Sequence, residues 1–248
     1  DQIAAEGITI IFGLPMMIRA LVEEQLARPR DLASLRLAIY AMAPIAKNEL
    51  EQAMAVLGCG FSLYFGQTEM SPVSTYFRPE HQLSHAGAAG TPLTNVQAAI
   101  MDAEGNLLPE GKSGEIVYRS PQALTGYLRN EEATEAAFRH GWFHSGDAGR
   151  LDADGILWFE DRFKDVIKSG GENVASLEVE TAIYAVEPKV AEAVVVGLPH
   201  EKWGEAITAV VVAKPGQAIV EAETIARIQT TLSPFKCPKA IITVDALP

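Results

Sequence analysis

Cysteine is nearly absent: Cys59 and Cys237 are the only two, far apart in the sequence. A disulfide framework or a zinc site needs more thiols at closer spacing, so neither is expected. Reduced thiols and a cytoplasmic setting are expected instead. Long apolar runs are also missing. The longest aliphatic stretches, such as Ala206–Ala213, fall far short of the ~20 residues that span a bilayer, so no transmembrane segment is expected. No secretory leader is read at the start. Basic residues are scarce, 20 Lys and Arg against 32 Asp and Glu, for a net charge of −12. That balance argues against nucleic acid or an anionic membrane as the main partner. Glycine and proline are not enriched, and no repeat or long low-complexity linker is read. The 248 residues are 48% hydrophobic and 21% charged. This composition buries a real core, excludes disordered, collagen-like and coiled-coil chains, and suits one large domain or two smaller ones.

Three textures follow one another. The first alternates strands and helices: strands are expected at Gly7–Phe12, Leu35–Tyr40 and Phe61–Phe65, with a helix opening at Pro15 and another capped by Asn48 with Glu51 reaching back. Strand–helix–strand order implies parallel pairing. From about Asn95, short alternating segments at Val96–Met101, Gly114–Arg119 and Ile156–Glu160, with turns at Asp102–Gly105 and Asp152–Gly155, predict an antiparallel sheet or a small barrel. After Lys164 come a helix at Leu177–Val186, strands at Ala193–Gly197 and Thr208–Ala213, a helix carrying Ile225, Ile228 and Leu232, and a last strand at Ala240–Val244. That is an α+β unit. The basic stretch Arg162–Lys168 lies at the boundary.

Four stretches hold side chains fit for chemistry. In Phe65-Gly66-Gln67-Thr68-Glu69 a glycine permits close approach, a hydroxyl suits a phosphate, and a carboxylate suits Mg²⁺. The same residues also suit a polar turn. Asp147 ends the run Gly141–Asp147 (GWFHSGD); a carboxylate there accepts both hydroxyls of a ribose or caps a turn. His140 and His144 are four apart, but Gly141 between them speaks against a helical zinc pair. Arg162 in Asp161–Asp165 (DRFKD) offers a rigid fork for ribose oxygens or belongs to a solvated joint. Gly170-Gly171 admits a thin chain or makes a tight turn.

Order and spacing together resemble the adenylate-forming enzymes: acyl-CoA synthetases, adenylation domains of peptide synthetases and firefly-type luciferases. The wording is most similar to bacterial fatty-acid–CoA ligases. The resemblance rests on FGQTE at Phe65–Glu69, GWFHSGD at Gly141–Asp147, DRFKDVIKSGGENV at Asp161–Val174, EVE at Glu178–Glu180 and VVVGLPHEKWGE at Val194–Glu205. It covers nearly the whole chain. It implies an α/β plus α+β fold in three parts: part of a parallel-sheet subdomain (1–94), a small β-barrel subdomain (95–163) and a C-terminal α+β domain (164–248). It implies ATP or AMP, Mg²⁺ and CoA as cofactors and a fatty or aryl carboxylic acid as substrate.

By that resemblance Ala43 and Pro44, within Tyr40–Pro44 (YAMAP), border the adenine site and Phe65 stacks on adenine. Gly66 and Gln67 line the nucleotide, Thr68 contacts its phosphate and Glu69 holds the metal, which makes Thr68 and Glu69 the catalytic pair. Asp147 and Arg162 hold the ribose. Lys164 is a hinge. Gly170 and Gly171 line the passage for the pantetheine arm, with Trp203 touching it. Tyr40, Met42, Phe65 and Met70 hint at an apolar wall for the acid. The phosphate loop and the catalytic lysine that the resemblance leads one to seek are not among the 248 residues, and both ends read as cut. An inactive or crippled isolated chain is therefore expected. An adenylation domain loading a carrier protein, and a non-catalytic nucleotide-binding module, stay open as alternatives. The oligomeric state is not read.

Overall fold

Contacts divide the chain into two units in the computed structural model, which describes residues 1–42 and 45–247. One unit holds residues 1–145 and 149–159; the other holds 146–148 and everything from 160 onward.

The first unit opens with α1 (Gln2–Glu6), which Gly7 closes at φ 63°. Strand β1 (Ile10–Gly13) consequently starts later than its apolar run suggests. Next come α2 (Pro15–Ala27), β2 (Leu37–Ala41), α3 (Lys47–Leu57), β3 (Gly60–Gly66), β4 (Val73–Phe77) and β5 (Thr91–Pro92), with the sheet ordered β1-β2-β3-β4-β5. The first three strands run parallel, as helical crossovers require, β4 returns antiparallel to β3, and β5 pairs antiparallel to β4. Register puts Ile11, Ala38 and Phe61 on one face. That face packs against Ile18 and Val22 of α2 and Leu50, Ala53 and Leu57 of α3. Ile10 and Phe12, one residue out of phase, are exposed. The capping box expected at Asn48 is not formed. Helix α3 begins two residues earlier, with Ala46 as a cap that offers no side-chain bond. Asn48 therefore already lies inside the first turn.

Strands β6 (Gln97–Met101), β7 (Gly114–Arg119), β8 (Phe143–Leu151) and β9 (Leu157–Arg162) form a second sheet in that order, with α4 (Glu131–Ala137) between β7 and β8. The small barrel that the resemblance implied is not present among the described residues: this sheet is open. Four strands are too few to curl round and close on a filled interior. Leu157 of β9 bridges instead to Gly90, beside β5. Ile100, Ile116, Tyr118, Phe143 and Leu157 form its core, with Met70. The two predicted turns are Asx turns. Asp152 Oδ1 accepts from Asp154 N at 3.0 Å and Ile156 N at 2.9 Å, while Oδ2 accepts from Trp158 Nε1 at 2.7 Å.

The second unit contains β10 (Ile167–Ser169), β11 (Glu172–Val174), α5 (Ser176–Val186), β12 (Val190–His200), β13 (Gly204–Ala213), α6 (Glu221–Ile228) and β14 (Ala240–Val244). The sheet order is β11-β10-β13-β12, with β14 parallel on β13. Val179 and Ile183 of α5 and Ile228 of α6 close over Val195, Ile207, Ala209 and Val211. Glu187, 1% exposed, is held by Arg227 at 2.9 Å and Thr224 Oγ1 at 3.0 Å. An acidic side chain buried without such partners is costly.

Candidate functional site

Strand β3 delivers Phe65 and Gly66 to a 3₁₀ turn, Thr68–Met70, before β4 runs back. The close approach that Gly66 permits is internal. A Cβ there would overlap the Pro72 carbonyl oxygen and lie 2.6 Å from Ser74 N. Both ends of the turn are pinned. Met70 is fully buried, and Gln122 Nε2 donates to the carbonyls of Met70 and Val73, each at 2.6 Å. Ser71 Oγ donates to Gln122 O at 2.8 Å. Between the pins Thr68 is exposed and Glu69 half-buried. Glu69 Oε1 accepts from Tyr127 Oη at 3.1 Å. Burial first, then the Glu69 charge, pushes the Tyr127 phenol above its ordinary value. Gln67 Nε2 is buried without a hydrogen-bond partner. The Phe65 ring lies 5.5 Å from that of Phe159, tilted by 47°.

In the second unit Asp147, 6% exposed, faces Arg162, with Nε 3.4 Å from Oδ1. Phe163 N donates to Gly146 O at 3.0 Å and ties the two segments just beyond β9. The chain then turns through exposed Lys164, with Asp165 N and Val166 N donating to Arg162 O at 2.9 and 3.0 Å. Asp161 lies immediately before Arg162. Its Oδ1 accepts from Arg162 N at 2.8 Å and its Oδ2 from Ser176 N at 2.5 Å.

Gly170 and Gly171 form the turn of the β10–β11 hairpin, both at positive φ. Gly170 N donates to Trp203 O at 2.7 Å, and a Cβ on Gly170 would sit 3.3 Å from the Trp203 indole. The ammonium groups of Lys202 and Lys239 lie 4.6 and 5.2 Å from that indole's centre. Positive charge over an indole face is favourable.

The structure thus gathers Phe65, Gly66, Gln67, Thr68 and Glu69 on one turn of the first unit. In the second it pairs Asp147 with Arg162 and Gly170 with Trp203. Ala43 and Pro44 lie outside the described residues. Tyr40 is a core residue and not a pocket wall: it is 3% exposed and donates to Gln82 Oε1 at 2.8 Å. Met70 is likewise internal, whereas Met42 is exposed at φ 78°. His140 and His144 do not form a metal pair. His144 Nδ1 is 2.7 Å from Glu115 Oε2, and its Nε2 is 3.1 Å from Arg139 O. No three His, Cys, Asp or Glu side chains gather as a metal cage among the described residues.

Residues 1–128 match the family described as AMP-binding enzyme, and residues 178–248 match the AMP-binding enzyme C-terminal domain. The chain belongs to the AMP-binding enzyme family. The chain is 36% identical over 251 residues to a fatty acid–[acyl-carrier-protein] ligase of Streptomyces coeruleorubidus, covering all of this chain and 48% of that protein. It is 36% identical over 248 residues to a feruloyl-CoA synthase of an Amycolatopsis species, covering all of this chain and 50% of that protein. Among solved structures, the o-succinylbenzoate CoA synthetase of Bacillus subtilis with its acyl-adenylate intermediate superposes with a TM-score of 0.90 at 31% identity, over all of this chain and 49% of that one. The same synthetase has been solved with ATP and a magnesium ion. The chain spans about half the length of the curated relatives it matches.

Within this member of the family, three polar side chains around the candidate residues were not legible as such. Tyr127 meets Glu69, Gln122 pins its turn, and Asp161 ties Arg162 to α5. Tyr127 and Gln122 lie more than fifty residues from the turn they serve, so no local spacing announces them.

Proposed function

We propose that the chain is the nucleotide-gripping part of an acid–CoA ligase. The carboxylate of an acid attacks the α-phosphorus of ATP and pyrophosphate leaves. The sulfur of CoA then attacks the acyl carbon of the adenylate, and AMP leaves. The Asp147–Arg162 pair carries the reading: an acceptor and a forked donor within 3.4 Å of each other match the two hydroxyls of a ribose. Phe65 offers its ring to adenine, a site to which the resemblance also assigns Ala43 and Pro44. Gly66 and Gln67 follow along the nucleotide, and the buried unpartnered Gln67 amide fits a donor waiting for a ligand oxygen or nitrogen. Thr68 and Glu69, on a pinned turn, face the phosphate and its metal.

Glu69 fits Mg²⁺, a hard cation usually held by one or two carboxylates plus phosphate oxygens. Bound there, the ion offsets phosphate charge. The contribution of the chain is positioning, which needs the rigid supports that Gln122 and Tyr127 provide. Gly170, Gly171 and Trp203 line the way for the pantetheine arm, and Lys164 is the hinge that lets one small domain serve both half-reactions. The division into 1–94, 95–163 and 164–248 belongs to the same reading.

The acid is proposed as fatty or aryl, in keeping with the fatty-acid and feruloyl relatives. A reducing cytoplasm fits the two buried, unpaired thiols; burial pushes that of Cys59 up to about 11, away from thiolate chemistry. The acidic balance keeps nucleic acid out of the proposal. No helix among the described residues is long and apolar enough to cross a membrane. A carrier-protein acceptor is the second reading, favoured by the Streptomyces relative named above; comparing thioester formation on CoA and on a phosphopantetheinylated carrier separates the two.

AMP titration of the chain by calorimetry tests the central assignment. Asp147→Ala is expected to weaken AMP by about tenfold or more, the loss of a hydrogen-bonding charged group. Unchanged affinity in that variant refutes the ribose assignment.

A further inference from the structure

We propose that the carboxylate of Asp161 is a latch that holds the hinge at Lys164 in one of its positions, and that it releases Ser176 before the chain turns there. The inference rests on the hinge reading above and adds the residue that governs it.

Asp161 is 5% exposed. Oδ2 accepts from Ser176 N at 2.5 Å, and Oδ1 lies 3.4 Å from Ser176 Oγ. Asp161 precedes Lys164 in the chain, and Ser176 follows it. A change of φ or ψ at Lys164 swings everything after it relative to everything before it. The bond survives only if residues 165–175 deform to compensate. They have little slack: β10 and β11 are paired as a hairpin, and Ile167 and Val174 are buried in one core with Val179 and Ile183. A turned hinge and an intact Asp161–Ser176 bond therefore exclude each other.

The bond also has a reason to form. Ser176 is the first residue of α5, and the cap residue Ala175 has no side-chain acceptor to offer. The orphan amides and partial positive charge of a helix N-terminus favour a carboxylate. Asp161 supplies it from fifteen residues away. A bond to a charged acceptor is among the stronger ones, so its loss is expected to change the ratio of hinge states by about tenfold or more.

The test uses the 248-residue chain carrying Lys112→Cys and Gln217→Cys, both exposed and one in each unit. Dyes there report hinge states by single-molecule energy transfer; native Cys59 and Cys237 are buried. Two variants break the latch independently. Asp161→Ala removes the acceptor. Ser176→Pro removes the donor and sets a methylene against the carboxylate. Proline suits a first helical position, and Ala175 already has the extended conformation (φ −70°, ψ 124°) that precedes one, so α5 is preserved. Each variant is expected to shift the ratio of states in the same direction, and the double variant no further, because one bond is lost in all three.

Two wild-type states whose ratio neither variant alters would overturn the latch and leave the hinge standing. One unchanged distance in the wild type and in every variant would overturn the hinge reading and the latch with it. If Asp161→Ala fails to fold, Ser176→Pro decides alone.

Discussion

Asp147 and Arg162 form an unequal pair: the carboxylate side chain is 9% exposed and the guanidinium side chain 53% exposed, 3.4 Å apart. An ion pair with so open a cation contributes about 0–1 kcal/mol to folding, because water screens it. Arg162→Ala is accordingly expected to move the melting temperature little while weakening AMP by about tenfold or more. Arg162→Lys is expected to recover little of the loss, since a lysine keeps the charge and not the fork. Calorimetry with AMP beside a thermal melt separates the two effects. A large loss of stability with unchanged affinity would make the pair structural.

Gly66 is the point where the turn can least tolerate a side chain. Its missing Cβ is filled by the returning strand, with Ser74 N at 2.6 Å. Backbone atoms cannot step aside as a flexible side chain does. Gly66→Ala is expected to destabilise the first unit by about 1–3 kcal/mol, the usual cost of overpacking, and to displace Glu69 with the turn. Urea unfolding of the variant against the wild type measures the first effect. Wild-type stability would show that the turn has another conformation available.

Legibility in the sequence followed the range of the interactions. The parallel order β1-β2-β3 could be read because helices between strands force it. Strand β7 at Gly114–Arg119 and strand β14 at Ala240–Val244 were read correctly because alternation and flanking turns are local signals. Asn48 misled because a good capping residue says nothing about whether the helix has already begun; the backbone started it at Lys47. The open second sheet was not foreseeable from local alternation, which does not say where β9 finds its partner, and it finds Gly90. In the candidate site, motif residues were legible. Their supports Tyr127, Gln122 and Asp161 were not, because each acts on a residue distant in sequence or through a helix end.

Tyr40 illustrates a motif residue that acts through the fold. Its hydroxyl donates to Gln82 Oε1 at 2.8 Å, and Gln82 Nε2 donates to Phe77 O at 3.0 Å, all within a buried cluster. Burial pushes the Tyr40 phenol far above its ordinary value, so it stays a donor. Tyr40→Phe leaves the amide oxygen of Gln82 buried without this partner, at a cost of about 1–3 kcal/mol. Denaturant unfolding is expected to register that loss, while AMP affinity stays at the wild-type value. A drop in AMP affinity without a drop in stability would place Tyr40 against the ligand after all.

Glu180 on α5 gives the chain a pH dependence of definite sign. Burial raises its carboxyl above the usual value of 4.5, and the negative charges of Asp161 and Asp165 add to the rise, although the 2.9 Å bond from Val195 N opposes it. A carboxyl whose folded value exceeds its unfolded one binds its proton more tightly when folded. Its contribution to stability is whole below the unfolded value and is lost as pH climbs through the folded one. Glu180→Gln keeps an acceptor for Val195 N and removes the buried charge. The variant is expected to match the wild type closely at about pH 4 and to exceed it at about pH 7. The gap should open as pH passes through the carboxylate range and then stay constant. In an Asp161→Ala background the gap should narrow, because one of the charges that raises Glu180 is gone. Urea unfolding of the four proteins across that range checks all of these, and a gap of the same size at acid and neutral pH would mean that Glu180 acts by packing and not by charge.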